Sequence, residues 1–262
     1  MPSRSIQLAH VMLSRPWTRS MARPQPPARR VFNVISPHLD DGALSCSLLL
    51  AAHPGSFFTT IFAGGPPCTF PLTPWDKAAR FFPEGADIPG VRRGEDISAA
   101  AMVGASTVHL PYWDRQYRND QYGYRGPTDD ELTAAIAEDL LTLAGEHQGH
   151  TWVIPLGLHH PDHRIAADAA LIFAARQPGD IYMYEELPYM IENPAEATER
   201  KAFLTERGFV LRADASTAPS GDRALKTAVL RCHASQRRAL GKRLRTAVRT
   251  PERIWSLLTP EP

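Results

Sequence analysis

The sequence carries almost no net charge. Its 29 lysines and arginines stand against 28 aspartates and glutamates, a formal balance of +1 over 262 residues. A dedicated nucleic-acid binder needs a basic excess to neutralise phosphates, so no nucleic-acid partner is expected. Cysteine is scarce as well. Cys46, Cys68 and Cys232 form no CxxC and cannot all pair, which excludes a disulfide scaffold and fits a reducing, cytoplasmic setting. No apolar run approaches the ~20 residues that span a bilayer, so no integral membrane segment is expected. No G-x-G-x-x-G follows any apolar run, which disfavours a dinucleotide enzyme. What is present in ordinary amounts, 43% hydrophobic and 22% charged residues, excludes wholesale disorder.

Residues 1–30 hold six arginines, several prolines and no acidic residue, and read as a disordered Arg/Pro-rich tail. From Val31 the pattern changes. Val31–Ser36, Phe57–Ala63, Thr107–Leu110, Thr151–Pro155 and Ile181–Tyr184 are short apolar, β-rich runs that read as strands. Between them Gly42–Ala52, Arg92–Val103 and Pro161–Arg176 have helical spacing, and Thr128-Asp-Asp-Glu131 is a capping box that opens a helix to about Ala144. This alternation predicts a single α/β domain over residues 31–240, with a Rossmann-like, mostly parallel sheet flanked by helices. Residues 241–262 read as a basic C-terminal extension with a solvated helical face. Two long loops, Gly64–Gly90 and Pro111–Pro127, are rich in aromatic rings, and loops of that length inside a compact domain usually serve function.

Two strand ends concentrate chemistry. Ser36-Pro-His-Leu-Asp-Asp41 follows the first strand and His159-His-Pro-Asp-His163 follows the TWVIP strand. Ligand sites in open α/β sheets lie at the carboxyl ends of strands, where both segments fall. Taken alone, Asp41 could as well be a plain helix cap and Asp40 a solvated turn residue. Two such ends that each deliver an imidazole and a carboxylate are harder to dismiss, because two histidines and one carboxylate form a catalytic zinc set with a position left open for water.

On these residues the sequence resembles a known family. Ser36–Asp41 is similar to the PHxDD signature, and His160–His163 to the HPDH signature, of the PIG-L (LmbE-like) zinc-dependent N-acetyl-sugar deacetylases. Arg92-Arg-Gly-Glu-Asp96 with Ala99–Ala101 and Gly104 resembles that family's R-x-x-E-D helix. Lys226 with His233-Ala-Ser-Gln236 resembles its C-terminal K…H-x-S-Q element. The resemblance implies an LmbE-like fold and a ligand set of His38, Asp41 and His163 around one zinc ion per chain, with another divalent ion such as Fe2+ as the alternative. It implies that Asp40 is the general base and that His160 either donates to the oxyanion or protonates the leaving amine. Asp162 would orient an imidazole from behind the ligands.

The implied reaction is hydrolysis of the N-acetyl group of an N-acetylglucosamine-type sugar or glycoconjugate, a small-molecule partner; a broader N-acyl amidase is the alternative. Arg92 or Arg93 would reach a substrate hydroxyl or phosphate. Trp113 and Tyr117, on the second aromatic loop, would stack on a sugar ring. One departure stands out. The branch of the family that deacetylates a glucosaminyl-inositol carries a tyrosine two residues before the first histidine of HPDH, and this sequence has Leu158 there, followed by His159.

Overall fold

Each short β-branched or aromatic run between the helical stretches becomes a strand of one seven-stranded sheet in the computed structural model, which describes residues 30–213 and 221–260. The expected N-terminal tail, Arg30 apart, lies outside the described residues. The chain runs β1 (Phe32–Ser36), α1 (Asp41–Ala52), β2 (Phe57–Thr60), α2 (Pro74–Ala79), α3 (Ile88–Met102), β3 (Ser106–His109), α4 (Asp129–Glu146), β4 (Thr151–Pro155) and α5 (Pro161–Arg176). It continues with β5 (Ile181–Tyr184), α6 (Tyr189–Glu192), α7 (Pro194–Glu206), β6 (Val210–Ala213), α8 (Arg223–Arg231), α9 (Arg237–Leu240), α10 (Lys242–Arg249) and β7 (Ile254–Leu258). The strand order is β3-β2-β1-β4-β5-β7-β6. The first five strands pair in parallel, and β7 pairs antiparallel with both β5 and β6.

Burial on both faces explains why the central strands lack polar alternation. β1 and β4 are buried at every residue, as parallel strands covered by helices on both sides must be. Helices α1, α3 and α8 pack together as one layer, and α4 with α5 forms another. The result is the expected α/β architecture, a mostly parallel sheet between helices.

Three boundaries differ from the sequence reading. Strand β2 stops at Thr60 because Phe62 and Gly64 leave the sheet to make isolated bridges with Pro111 and Trp113. Helix α3 begins at Ile88, since the Asp87 side chain accepts from Gly90 N and Pro89 suits the first turn. Inside the first long loop, Thr73 and Asp76 cap each other's backbone N–H and set up α2.

The larger correction concerns residues 241–262, set apart above as an extension. They supply β7, which lies inside the sheet between β5 and β6. The arginines of this stretch hid a strand whose Ile254 and Leu257 are buried. Just before it, the buried Glu252 accepts from Ser47 Oγ at 3.2 Å, from Leu48 N and Leu49 N at 3.0 and 3.1 Å, and from Lys226 Nζ at 3.1 Å. The C-terminal strand therefore anchors α1, the helix that opens directly after the first motif.

Candidate active site

β1 and β4 are neighbours, yet the chain leaves them in opposite directions: β2 and β3 lie on one side, β5 on the other. At such a reversal the two loops part and open a crevice at the carboxyl edge. Both motifs emerge there. Ser36 Oγ accepts from Gly42 N at 2.8 Å and tightens the first turn. Position 42 must be glycine, since a Cβ there would stand 2.8 Å from the Phe58 ring. Asp40 sits at the N-cap of α1 but makes no side-chain capping bond, so its carboxylate stays free. On the second loop His160 is the N-cap of α5, and its Nδ1 accepts from Asp162 N at 3.2 Å. His163 then points inward from the first turn and is fully buried.

The two imidazoles converge on one oxygen. His38 Nδ1 lies 3.1 Å and His163 Nε2 3.0 Å from Asp41 Oδ2. Each ring gives its other nitrogen to a buried carboxylate: His38 Nε2 to Asp162 Oδ2 at 3.1 Å, and His163 Nδ1 to Glu186 Oε1 at 3.3 Å. With those nitrogens donating, the nitrogens that face Asp41 are either protonated or ligands to a cation. Burial alone would depress both pKa values, but Asp114, Asp162 and Asp41 outweigh it and hold His38 well above its ordinary value. Asp41 and Glu186 likewise raise His163 to about 9.

A divalent cation fits this set. His163 Nε2 is buried and, although 3.0 Å from Asp41 Oδ2, makes no well-aligned hydrogen bond, and a carboxylate behind each imidazole is the usual support of a metal site. Asp40, Asp41, Asp114, Asp162 and Glu186 place five carboxylates beside the two guanidiniums of Arg92 and Arg118, so the two imidazoles and any bound cation share the balancing of that charge. His38, Asp41 and His163 thus form a candidate metal site. His38, His160 and Asp162 also lie close enough to hold an ion, but Asp162 is already engaged by His38, Arg115 N and Arg118. Glu186→Gln is expected to weaken metal retention roughly 10–100-fold, measured by titration against a chelator, because the amide no longer draws the proton of His163 Nδ1.

Arg92 joins the site from α3. Its guanidinium is buried, 3.7 Å from Asp40 Oδ1 and 3.3 Å from Asp114 Oδ2. The two adjacent carboxylates separate in acidity. Burial and the charge of Asp41 raise the Asp40 pKa, whereas the His163 and His38 imidazoles overcome burial and hold Asp41 well below the ordinary carboxylate range. Burial and the neighbouring His38 lower His160 to about 4, so its ring is neutral at neutral pH. Since Nδ1 accepts from Asp162 N, the proton of that neutral ring sits on Nε2.

These groups line a cavity of about 250 Å³, walled by Trp75, Leu240 and Tyr189. His159 also faces it. This residue adopts a left-handed backbone (φ 62°) and stacks on Tyr189 with ring centroids 5.1 Å apart, while Leu158 is buried in the core. A non-glycine residue held in that region is strained, and such strain clusters at functional sites.

The expected substrate-contacting residues divide. Arg92 lines the cavity, but Arg93 turns away and donates to Ala63 O at 2.8 Å. Trp113 and Tyr117 line a separate aromatic cleft of about 430 Å³, with Tyr117 nearly buried. The reason lies in the loop. Arg118 donates to Trp113 O and to Asp162, which folds residues 113–118 so that Asp114 and Gln116 enter the cavity and the rings face the other side. Asp114, Glu186 and Arg118 escaped the sequence reading because no motif spacing marks them. The Lys226 and His233–Gln236 element holds the site from behind: Ser235 Oγ donates to Glu95 of α3 at 2.6 Å, and Gln236 Oε1 accepts from Trp75 Nε1 at 3.1 Å.

Proteins of one enzymatic class share this architecture: the relatives of the chain are deacetylases, hydrolases that act on amide C–N bonds. The chain is 27% identical over 190 residues to the 2'-N-acetylparomamine deacetylase of Niallia circulans, covering 62% of this chain and 68% of that protein. Among solved structures, a deacetylase of teicoplanin biosynthesis superposes with a TM-score of 0.72 at 25% identity, over 87% of this chain and 97% of its own. The A40926 pseudoaglycone deacetylase superposes with a TM-score of 0.68 at 25% identity, over 89% and 99% of the two chains. No family profile matches the chain.

Proposed function

We propose that this protein is a PIG-L-type, metal-dependent N-deacetylase that hydrolyses the N-acetyl group of an N-acetylglucosamine-type amino sugar or glycoconjugate in the cytoplasm. The observation that carries this reading is the pair of carboxylate-backed imidazoles converging on Asp41 Oδ2, with an uncapped Asp40 beside them. His38, Asp41 and His163 would hold the cation, for which zinc is the best match to two nitrogens and one carboxylate. When bound, the cation polarises the amide carbonyl and acidifies water.

The remaining work falls to the chain's own groups. Asp40 takes a proton from water as its oxygen adds to the carbonyl carbon, and its raised pKa suits a base that must later give the proton back. Arg92 keeps that carboxylate oriented. The neutral His160 ring donates from Nε2 to the carbonyl oxygen as charge develops there. When the C–N bond breaks, the proton held by Asp40 passes to the amine nitrogen, leaving acetate and a free amino sugar. Asp114 and Arg92, in the cavity wall, would bind sugar hydroxyls.

The relatives support the sugar class: one is a deacetylase of 2'-N-acetylparomamine, another of the A40926 pseudoaglycone, and a third acts in teicoplanin biosynthesis. The test is amine release from a panel of N-acetyl glycosides and simple N-acyl amines, with the metal of the purified protein measured in parallel. Turnover confined to the sugars is expected. Equal turnover of non-sugar amides would replace the sugar deacetylase with a general N-acyl amidase. Because Trp113 faces the second cleft, Trp113→Ala is expected to leave kcat on a minimal N-acetyl sugar unchanged and to raise KM only for substrates that extend beyond the cavity.

A further inference from the structure

The ridge that walls the cavity on the Trp75 side carries a second, basic face that catalysis does not use. Arg80 at the end of α2, Arg237 and Arg238 on α9, and Lys242 and Arg245 on α10 line a broad, open depression of about 730 Å³, with Phe81 among them. All these basic side chains are exposed. None has an ion-pair or side-chain hydrogen-bond partner among the described residues, whereas Arg243, which faces the cavity, pairs with Glu192 at 2.7 Å. On α10 the stripe continues at helical spacing from Lys242 and Arg245 to Arg249, while Leu244, Ala247 and Val248 pack inward.

A chain of net charge +1 thus gathers uncompensated cations on one face. A single phosphate would be gripped by converging, buried donors. These groups are instead exposed and strung along a helix, which suits a surface bearing many anions. Phe81, 49% exposed, lies among them, and Trp75, 37% exposed, stands on α2 at the neighbouring cavity wall; aromatic side chains beside basic ones favour the headgroup boundary of a bilayer. The patch also adjoins the cavity mouth, since Leu240 and Arg243 of the same helices line the cavity.

We propose that the face formed by α2, α9 and α10 docks on an anionic lipid membrane surface, which would hold the cavity mouth at the headgroup layer. This inference does not depend on the proposed reaction.

Sedimentation of the full-length protein with phosphatidylcholine vesicles, with and without phosphatidylserine, tests it. Binding is expected only with phosphatidylserine, and should be lost when salt rises from about 0.15 to 1 M, which shortens the screening length from ~8 to ~3 Å. The triple variant Arg238→Glu, Lys242→Glu, Arg245→Glu should weaken vesicle binding by roughly tenfold or more, because each basic residue near an anionic leaflet contributes several-fold on its own. Its circular dichroism and its rate on a soluble substrate should match the wild type. Equal binding to both vesicle types, no binding to either, or retention on heparin without vesicle binding would each overturn the proposal. If the variant misfolds, the salt and lipid dependence of the wild type still decides it.

Discussion

Asp40→Asn is expected to lower kcat by roughly 10²–10⁴ while the metal content stays near that of the wild type. The amide keeps the size of the carboxylate and can still meet the Arg92 guanidinium, which lies 3.7 Å from Asp40 Oδ1. It cannot take a proton from water. Because Asp40 makes no capping bond to α1, the substitution leaves the helix start intact. The check pairs steady-state kinetics with metal analysis on the same preparation. If metal and activity fall together, Asp40 is a ligand and the roles of the two adjacent aspartates must be exchanged.

His163→Ala is expected to strip most of the metal and nearly all activity. It removes one of the three proposed ligands, and it does so in a fully buried place. The loss extends to stability. Asp41 and Glu186 each lose this ring as a partner but keep His38 and the Gly157 and Leu158 backbone N–H groups respectively, so the loss of these buried charge-assisted bonds costs about 1.5–3 kcal/mol. Thermal unfolding of the metal-free variant against the metal-free wild type reads that cost directly. His163→Gln, which retains a hydrogen-bonding side chain in the pocket, should recover part of the stability and little of the metal. A variant that keeps full metal and activity would move the site elsewhere.

Much of this was legible in the sequence because two kinds of signal were strong. The strands FNVIS and TWVIP are buried on both faces, so their largely apolar character, without polar alternation, announced a covered parallel sheet. The motif residues are local in sequence, and a short turn after a strand can only deliver them to one edge. What stayed hidden depends on tertiary placement. Glu186 reaches His163 from the loop after β5, and Asp114 reaches Arg92 from the middle of a loop whose rings point elsewhere. Strand β7 was masked for a different reason: its Ile and Leu residues lie next to a run of arginines that dominates any window drawn across them. Trp113 and Tyr117 were read by residue type alone, and a loop's residue types do not say which of its two sides each ring takes.

The contact between Glu252 and α1 has a consequence for how the molecule assembles. It joins positions 205 residues apart, and closing so long a loop is an entropic cost that must be met before the contact returns any energy. Among the described residues β6 pairs only with β7 in the sheet, so it too waits for that same late closure. The loop that carries His38 and Asp41 lies near the start of the fold, yet the helix following it gains its carboxylate clamp only after nearly the whole domain is in place. A chain ended before residue 252 would leave Lys226 buried without its counter-charge, β6 without a strand partner and β5 as an unpaired edge. Refolding such a chain should yield a protein prone to edge-to-edge association, and one in which the first motif is present in sequence but unsupported in space.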